Sequence, residues 1–312
     1  MSTSPHIGAF LLAATEILPA DWRDLSDALV RVGDPEVLLT ATPLGSGREV
    51  DLLTYLREGV DRSRVDRWRK QLDSLASLRP QVSLITVTDQ NYPVNLRNCY
   101  DRPPFIFIDG DLAPADRTAL AIVGSRHATI PGMNIATHVA EAAADAGITV
   151  VSGLARGVDA AAHRGALRAG GRTLAVIAGG IDQGIYPPEH TELAAKISSS
   201  GAVISQFRPG SPVTKSSFLM RNAVISGLAS CSLLIEAGER SGTRAEAEHS
   251  LKQGRPVLMW EPCLGQERWA IEFAGNSGVH MVSRVEDILA MTKVATHDYS
   301  SRISSRPDDA AL

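Results

Sequence analysis

From Ala119 to Trp260 the chain repeats one pattern: six apolar runs of strand length, separated by stretches of helix length and helix pattern. The runs are Ala119 to Val123, Ile148 to Val151, Thr173 to Ile177, Ala202 to Ile204, Ser232 to Glu236 and Pro256 to Trp260; Ile135 to Ala146 and Ala160 to Ala169 are typical of what lies between. A strand covered on both faces reads as an unbroken apolar run, and parallel neighbours must be joined by a crossover that is usually a helix. The alternation therefore predicts an α/β fold: a mainly parallel sheet, doubly wound, with helices on both faces.

The flanks read differently. From Pro5 to about Leu78 the chain is rich in helix formers, interrupted at Pro19-Ala20-Asp21, Gly33-Asp34-Pro35 and Pro43, with apolar spacing such as Leu25, Ala28, Leu29, Val32. Several short helices are predicted there, as a small all-helical domain over residues 1–78. Its charged run, Asp61 to Gln71, reads as a solvated helix face and is assigned no site. After Arg79-Pro80, strand-like runs at Val82 to Val87 and Phe105 to Ile108 lead into the sheet domain, residues 79–292. The polar stretch 293–312, with Arg306-Pro307-Asp308-Asp309, is expected to be disordered.

Composition limits the function. With 31 basic and 35 acidic residues the formal charge is −4, so the chain as a whole does not attract polyanions, and any such site must be local. Cys99, Cys231 and Cys263 are odd in number and far apart, which offers no disulfide framework or paired metal knuckle and suits a reducing cytoplasm. The apolar stretch Ile7 to Leu18 contains Glu16 and is too short to span a membrane. A cytoplasmic location with no membrane partner is expected.

In an open parallel sheet, ligands bind beyond the carboxyl ends of the strands, where helix N-termini and loop amides converge. Here those ends read Gly124-Ser125-Arg126, Ser152-Gly153-Leu154-Ala155-Arg156-Gly157, Gly179-Gly180 and, before a helix, Ser241-Gly242-Thr243. Glycine lets backbone N–H groups approach an anion, so four such loops suggest a phosphate cradle. Arg126, Arg156, Arg221, Arg240, Arg244 and Lys215 fall in or beside them. A row of guanidiniums suits a chain of phosphates. About half are expected to pair instead with Asp159, Asp182, Glu236 or Glu239. Arg126 and Arg221 are the strongest candidates. A nicotinamide cofactor is disfavoured, because Gly124, Gly153 and Gly157 make no GxGxxG fingerprint; no cofactor is assigned. Neither a P-loop nor GxSxG occurs, His163 is read as bonding a backbone carbonyl, and no histidine spacing suggests a metal.

Taken together, these motifs resemble the DprA/Smf family of DNA-processing recombination mediators. The resemblance rests on Asn91-Tyr92-Pro93, Pro103-Pro104-Phe105, Gly110-Asp111-Leu112, Ile122 to Arg126, Val151 to Asp159 with His163, Gly179 to Asp182 with Tyr186-Pro187, Phe218 with Arg221-Asn222, and Ile225 to Leu228. It covers about two thirds of the chain in the family's motif order; Ile7 to Leu39 is also similar to the family's small helical (SAM/HhH-like) domain. It implies an extended Rossmann-like domain whose strand-edge pocket binds single-stranded DNA, forms a homodimer and helps load a RecA-like recombinase. It carries Arg126, Ser152, Gly153, Arg221 and Asn222 over as DNA-contacting positions; with Gly124, Ser125, Arg156, Gly179, Gly180, Lys215, Gly242, Thr243 and Arg244 they form the expected DNA or phosphate site.

The sequence departs from the family at Ala223, where a second arginine is usual, and at Ser241-Gly242-Thr243-Arg244-Ala245-Glu246. Gly242-Thr243 with Glu246 is similar to the GTxxE motif of LOG phosphoribohydrolases, which makes hydrolysis of a nucleoside monophosphate, with Glu246 as catalytic carboxylate, an alternative. A nucleotide-ligand sensor in a defence system is another. The winged helix that many members carry at the C-terminus is not expected in the few residues after the last helix.

Overall fold

The computed structural model describes residues 4–18, 22–40, 47–238 and 241–304. Pro19-Ala20-Asp21, Pro43, Glu239, Arg240 and Arg306 to Asp309, named above, lie outside them. Four helices come first: α1 (Pro5–Ile17), α2 (Arg23–Val32), α3 (Arg48–Gly59) and α4 (Arg62–Leu78). Ser4 caps α1, accepting from the Ile7 N–H, with Pro5 in the first turn; Asp61 caps α4 through the Ser63 N–H. α1 is buried from Ile7 to Thr15, as a helix apolar on nearly all sides must be. It crosses the sheet so closely that a Cβ on Gly8 would lie 2.6 Å from Leu84 Cδ2.

Next come β1 (Val82–Thr86), α5 (Val94–Arg97), β2 (Phe105–Gly110), β3 (Ala119–Val123), α6 (Ile130–Asp145), β4 (Thr149–Ser152), α7 (Val158–Arg168) and β5 (Thr173–Val176). α8 (Thr191–Ser200), β6 (Ala202–Ser205), α9 (Lys215–Leu228), β7 (Cys231–Leu234), α10 (Gly242–Lys252) and β8 (Val257–Trp260) follow. The described chain closes with α11 (Glu261–Leu264), α12 (Arg268–Ala274), β9 (Val279–Val282) and α13 (Val285–Ser304).

The nine strands form one sheet in the order β1-β2-β6-β5-β4-β3-β7-β8-β9. From β6 to β9 every pairing is parallel, with Val151 opposite Leu174 and Val123 opposite Leu234. β1 and β2 pair antiparallel, and β2 runs antiparallel to β6. This is the doubly wound, Rossmann-like layering that the alternation predicts, extended by an antiparallel pair. The chain starts the parallel part at β3, works outward to β6, then returns to β7, so the strand order reverses between β3 and β7. One continuous apolar cluster reaches from Ile7 and Leu53 through Phe105 and Phe107 to Ile177 and Met259, joining the first helices to one sheet face. The other face packs a second cluster, including Ile122, Val139, Val158 and Ile288.

Two features differ from expectation. β9 carries exposed His280 between buried Val279 and Val282, too short an apolar run to stand out. α13 continues to Ser304, through residues expected to be disordered from 293 onward. Its seam is small and partly polar: Ile288 and Ala295 pack on the second cluster, while Thr292 Oγ1 meets Cys231 Sγ at 3.2 Å and Thr296 meets Ser230 at 2.7 Å. Threonines that satisfy themselves against a strand end conceal a buried helix face from a hydropathy reading.

Candidate functional site

The carboxyl ends of β3 to β7 share one edge of the sheet, the rim. Where strand order reverses, α6 points its N-terminus at the rim, the place a dinucleotide phosphate would occupy. A side chain of the protein fills it. The Thr129 N–H donates to Glu236 Oε2 at 2.9 Å, the Thr129 hydroxyl donates to Oε1, and a Cβ on Gly132 would lie 2.3 Å from that oxygen. Glycine serves packing nearby: a Cβ on Gly124 would meet Val158 Cγ2 at 2.6 Å, and Gly157, at φ 72°, sits against the Ser125 carbonyl. Other amides are also spent. Gly180 N–H donates to Ser211 O at 2.9 Å and Gly210 N–H to Asp182 Oδ1 at 2.8 Å. The expected cradle of bare amides is thus satisfied from within at Gly180, and its anion position at α6 is taken by Glu236.

Arg221 lies beneath the rim, not on it. Its side chain is 4% exposed, and Nη1 donates to Gly153 O, beyond β4, and to Val176 O, the last residue of β5, at 2.7 Å. A Cβ on Gly153 would stand 2.1 Å from Nη1, so only glycine leaves room for the guanidinium. Arg221 Nε reaches Asn222 Oδ1, and Asn222 Nδ2 donates to Gly242 O at 3.0 Å, tying α9 to the first residue of α10. Ser152 is likewise buried, its hydroxyl donating to Ile122 O at 2.6 Å. Arg221, Asn222 and Ser152 are expected to touch DNA; here Ser152 and Arg221 bond strand-end carbonyls, Asn222 ties α9 to α10, and Arg221 also lines a recess at the rim. Ala223 is buried as well.

Two carboxyls accompany Arg221 in the interior. Burial raises the pKa of Asp159 from its ordinary value, opposed by the Arg221 charge; its carboxylate accepts from the Ala155 N–H at 3.3 Å. Glu246 is 3% exposed and its Oε1 has no hydrogen-bond partner among the described residues. Burial, with the Asp159 charge adding to it, pushes its pKa well up. Glu246 does not line the recess at the rim, so the carboxyl on which the hydrolase alternative depends is sealed below the surface. Between β4 and α7, Leu154 adopts φ 56°, a costly angle for a residue with a side chain, and its carbonyl is bonded by His190 Nδ1 at 2.8 Å. His163 is buried and bonds the Thr173 hydroxyl at 2.7 Å, not the backbone carbonyl expected; burial drives its pKa down to about 3.

Arg126, Phe218 and Tyr186 form the exposed part. Arg126 is exposed, its guanidinium 4.4 Å from the centre of the Phe218 ring, and no described carboxylate pairs with it. Phe218 meets Tyr186 edge-on, ring centres 6.0 Å apart, and Tyr186 is 50% exposed. Together with Gly153, Gly179, Gly180, Val213 and Arg221 these rings line a shallow recess. Lys215 is exposed at the start of α9. Arg156 pairs with Glu189, and Arg244 with Glu248 at 3.3 Å. Both pairs are substantially exposed, and such pairs are weak enough for a phosphate to exchange with the carboxylate. Thr243 is buried beside the Ser241 cap of α10, away from the recess lining. Phe218 and Tyr186 were absent from the expected site. Aromatic residues in or beside glycine-rich loops, where a core ring has no reason to be, are the signal that would have found them.

A cavity of about 540 Å³ opens at the opposite, amino edge, between β1, β2 and α5. Among the described residues no cluster of three or more His, Cys, Asp or Glu could hold a metal, and no helix is long and apolar enough to cross a membrane.

Comparison with known proteins supplies the family. A family profile described as DNA recombination-mediator protein A matches residues 83–293. The DNA processing protein DprA of Bacillus subtilis is 36% identical over 186 residues, 59% of this chain and 62% of that protein. Protein Smf of Escherichia coli is 32% identical over 267 residues, 84% of this chain and 67% of that one. The chain thus spans roughly two thirds of the length of these relatives. Among solved structures, DprA from Streptococcus pneumoniae superposes with a TM-score of 0.69 at 25% identity, covering 93% of this chain and 98% of that one. DprA from Helicobacter pylori, described for its single-stranded DNA binding mode, shares the fold at a TM-score of 0.61 and 23% identity, over 69% of this chain and 96% of that one.

Proposed function

The chain belongs to the DNA recombination-mediator protein A family, and on that premise we propose that it binds single-stranded DNA at the rim and presents the strand to a RecA-like recombinase. The observation that carries this reading is Arg126: an exposed guanidinium, paired with no described carboxylate and stacked on Phe218, beside the half-exposed ring of Tyr186. Single-strand sites combine cations that follow the backbone with aromatic faces on which bases stack. Arg126 and Lys215 supply the first, with Arg156 and Arg244 available by exchange; Tyr186 and Phe218 supply the second. Arg221 holds the β4 and β5 loops in place beneath them. The same reading includes action as a homodimer in the cytoplasm, where free Cys99, Cys231 and Cys263 would stay reduced. Binding of this kind needs no covalent step, and buried Glu246 plays no part in one.

Fluorescence anisotropy with oligo-dT, duplex DNA and AMP tests it. Oligo-dT should bind most tightly, and AMP should neither displace it at comparable concentration nor be cleaved to free base. AMP binding more tightly than the oligonucleotide, or base release abolished in Glu246→Gln, would favour the hydrolase.

A further inference from the structure

At the rim the strands follow in the order β3, β4, β5, β6, so the loop after β6 lies three strand spacings, about 14 Å, from Arg126's strand. That loop contains Arg208. It adjoins the recess floor: a Cβ on Gly180 would lie 2.7 Å from Arg208 O, and the Gly180 N–H donates to Ser211 O. On its far side stand α1 and α4. Glu16, in the last turn of α1, accepts from Arg64 at 2.8 Å, Arg67 at 2.6 Å and Trp68 Nε1 at 3.1 Å. Arg64 and Arg67 are bonded to Glu16, and Arg208 lies within electrostatic reach of both Glu16 and Arg67, so the cluster keeps an excess of positive charge. Arg208 Nη1 is buried and hydrogen-bonds nothing among the described residues. Arg208 as a whole is partly exposed and no described carboxylate pairs with it, so the outer edge of its guanidinium is open to a phosphate. Next to Arg67, exposed Lys70 joins Ser63, Asp66, Gln71 and Ser74 along a shallow trough on α4.

We propose that the single-strand path continues from the recess over Gly179-Gly180 to Arg208 and onto α4, where Arg208 and Lys70 each take a backbone phosphate. The proposal rests on the single-strand reading above, and it gives the first helices a role in holding the substrate. The run Asp61 to Gln71, read from sequence as a merely solvated face, becomes its far end. Arg67 is already bonded to Glu16, so Lys70 is the trough cation offered to a phosphate, beside Asp66.

The test compares oligo-dT of about 5 nucleotides, enough for the recess, with one of about 16, near the upper span of single-strand sites. The full chain, Lys70→Glu, and Arg208→Gln with Lys70→Glu are titrated at several salt concentrations. The double variant should bind the long strand about tenfold more weakly, with a salt slope lower by about 0.7 for each phosphate it no longer neutralises, while short-strand affinity stays unchanged. Unchanged short-strand binding also reports that the variant is folded. Lys70 is exposed, so Lys70→Glu alone should show part of the same weakening, confined to the long strand. Long-strand affinity unaffected in both variants overturns the extended path and leaves the rim standing. If the unaltered chain binds neither length, the single-strand reading itself falls.

Discussion

Arg126 and Arg221 carry the same guanidinium into opposite environments, and their removal should have opposite signatures. Arg221→Ala would strip the carbonyls of Gly153 and Val176 of their donor and leave Asp159 without its nearest cation, at a cost of about 3–5 kcal/mol. Arg126→Gln removes an exposed side chain and should leave Tm unchanged while weakening DNA binding. Thermal denaturation beside binding separates the two; an equal drop in Tm for both would contradict the assignment. The pH dependence of stability has a residue origin too. Glu246 keeps its proton in the folded chain at pH values where the unfolded chain has released it, so its burial costs more as pH rises above about 4.5, by up to about 1.4 kcal/mol per unit until its folded pKa is passed. The Tm advantage of Glu246→Gln over the unaltered protein should grow from pH 5 to pH 8; a constant difference would show Glu246 to be ionised in place. His163 acts on the acid side: with its folded pKa near 3, stability is lost as pH falls below about 6.5. Sequence located the loops that Arg126 sits in and Arg221 reaches, because glycine and arginine are visible in or beside them. It could not show which arginine is buried, since that is settled by where carbonyls of β4 and β5 happen to point.

Among the elements, α6 has the anion position at its N-terminus filled from within the chain. Its first turn is occupied by Glu236, just beyond neighbouring β7, so the helix dipole is already answered by a carboxylate. Glu236→Ala should cost about 1 kcal/mol, about 2–4 °C in Tm, by uncapping Thr129. No change in Tm would mean that water replaces the cap at no cost. Missing glycines already disfavour a nicotinamide cofactor; the filled helix end is a separate physical ground against it. Strands were the most legible elements. β3 spans Ala119–Val123, as its apolar run predicts, and β4, β5, β7 and β8 differ from theirs by one or two residues at an end. The antiparallel direction of β2 was not legible, because an apolar run such as Phe105 to Ile108 fits a parallel or an antiparallel neighbour equally well. β9 and the far half of α13 were hidden by polar residues that find partners only after folding.

For the molecule as a whole, a formal charge of −4 and a polyanion ligand are compatible because charge is distributed by edge. The carboxyl edge carries exposed Arg126 and Lys215, with Arg208 and Lys70 beyond them on the proposed extended path, while Glu236, Asp182 and Glu189 near it are engaged with Thr129, Gly210 and Arg156. The first helices and the sheet share one apolar cluster, so the edge they form together is built by the fold. A rim that binds a polyanion differs from a sealed, merely structural one in counterion release. The decisive measurement is the slope of log affinity against log salt concentration for oligo-dT, in the unaltered chain and in Arg126→Gln. A steep linear fall is predicted for the first, and for the second a weaker affinity with a slope shallower by about 0.7. Affinity that does not respond to salt, or a slope that Arg126→Gln leaves untouched, would contradict a DNA-binding rim.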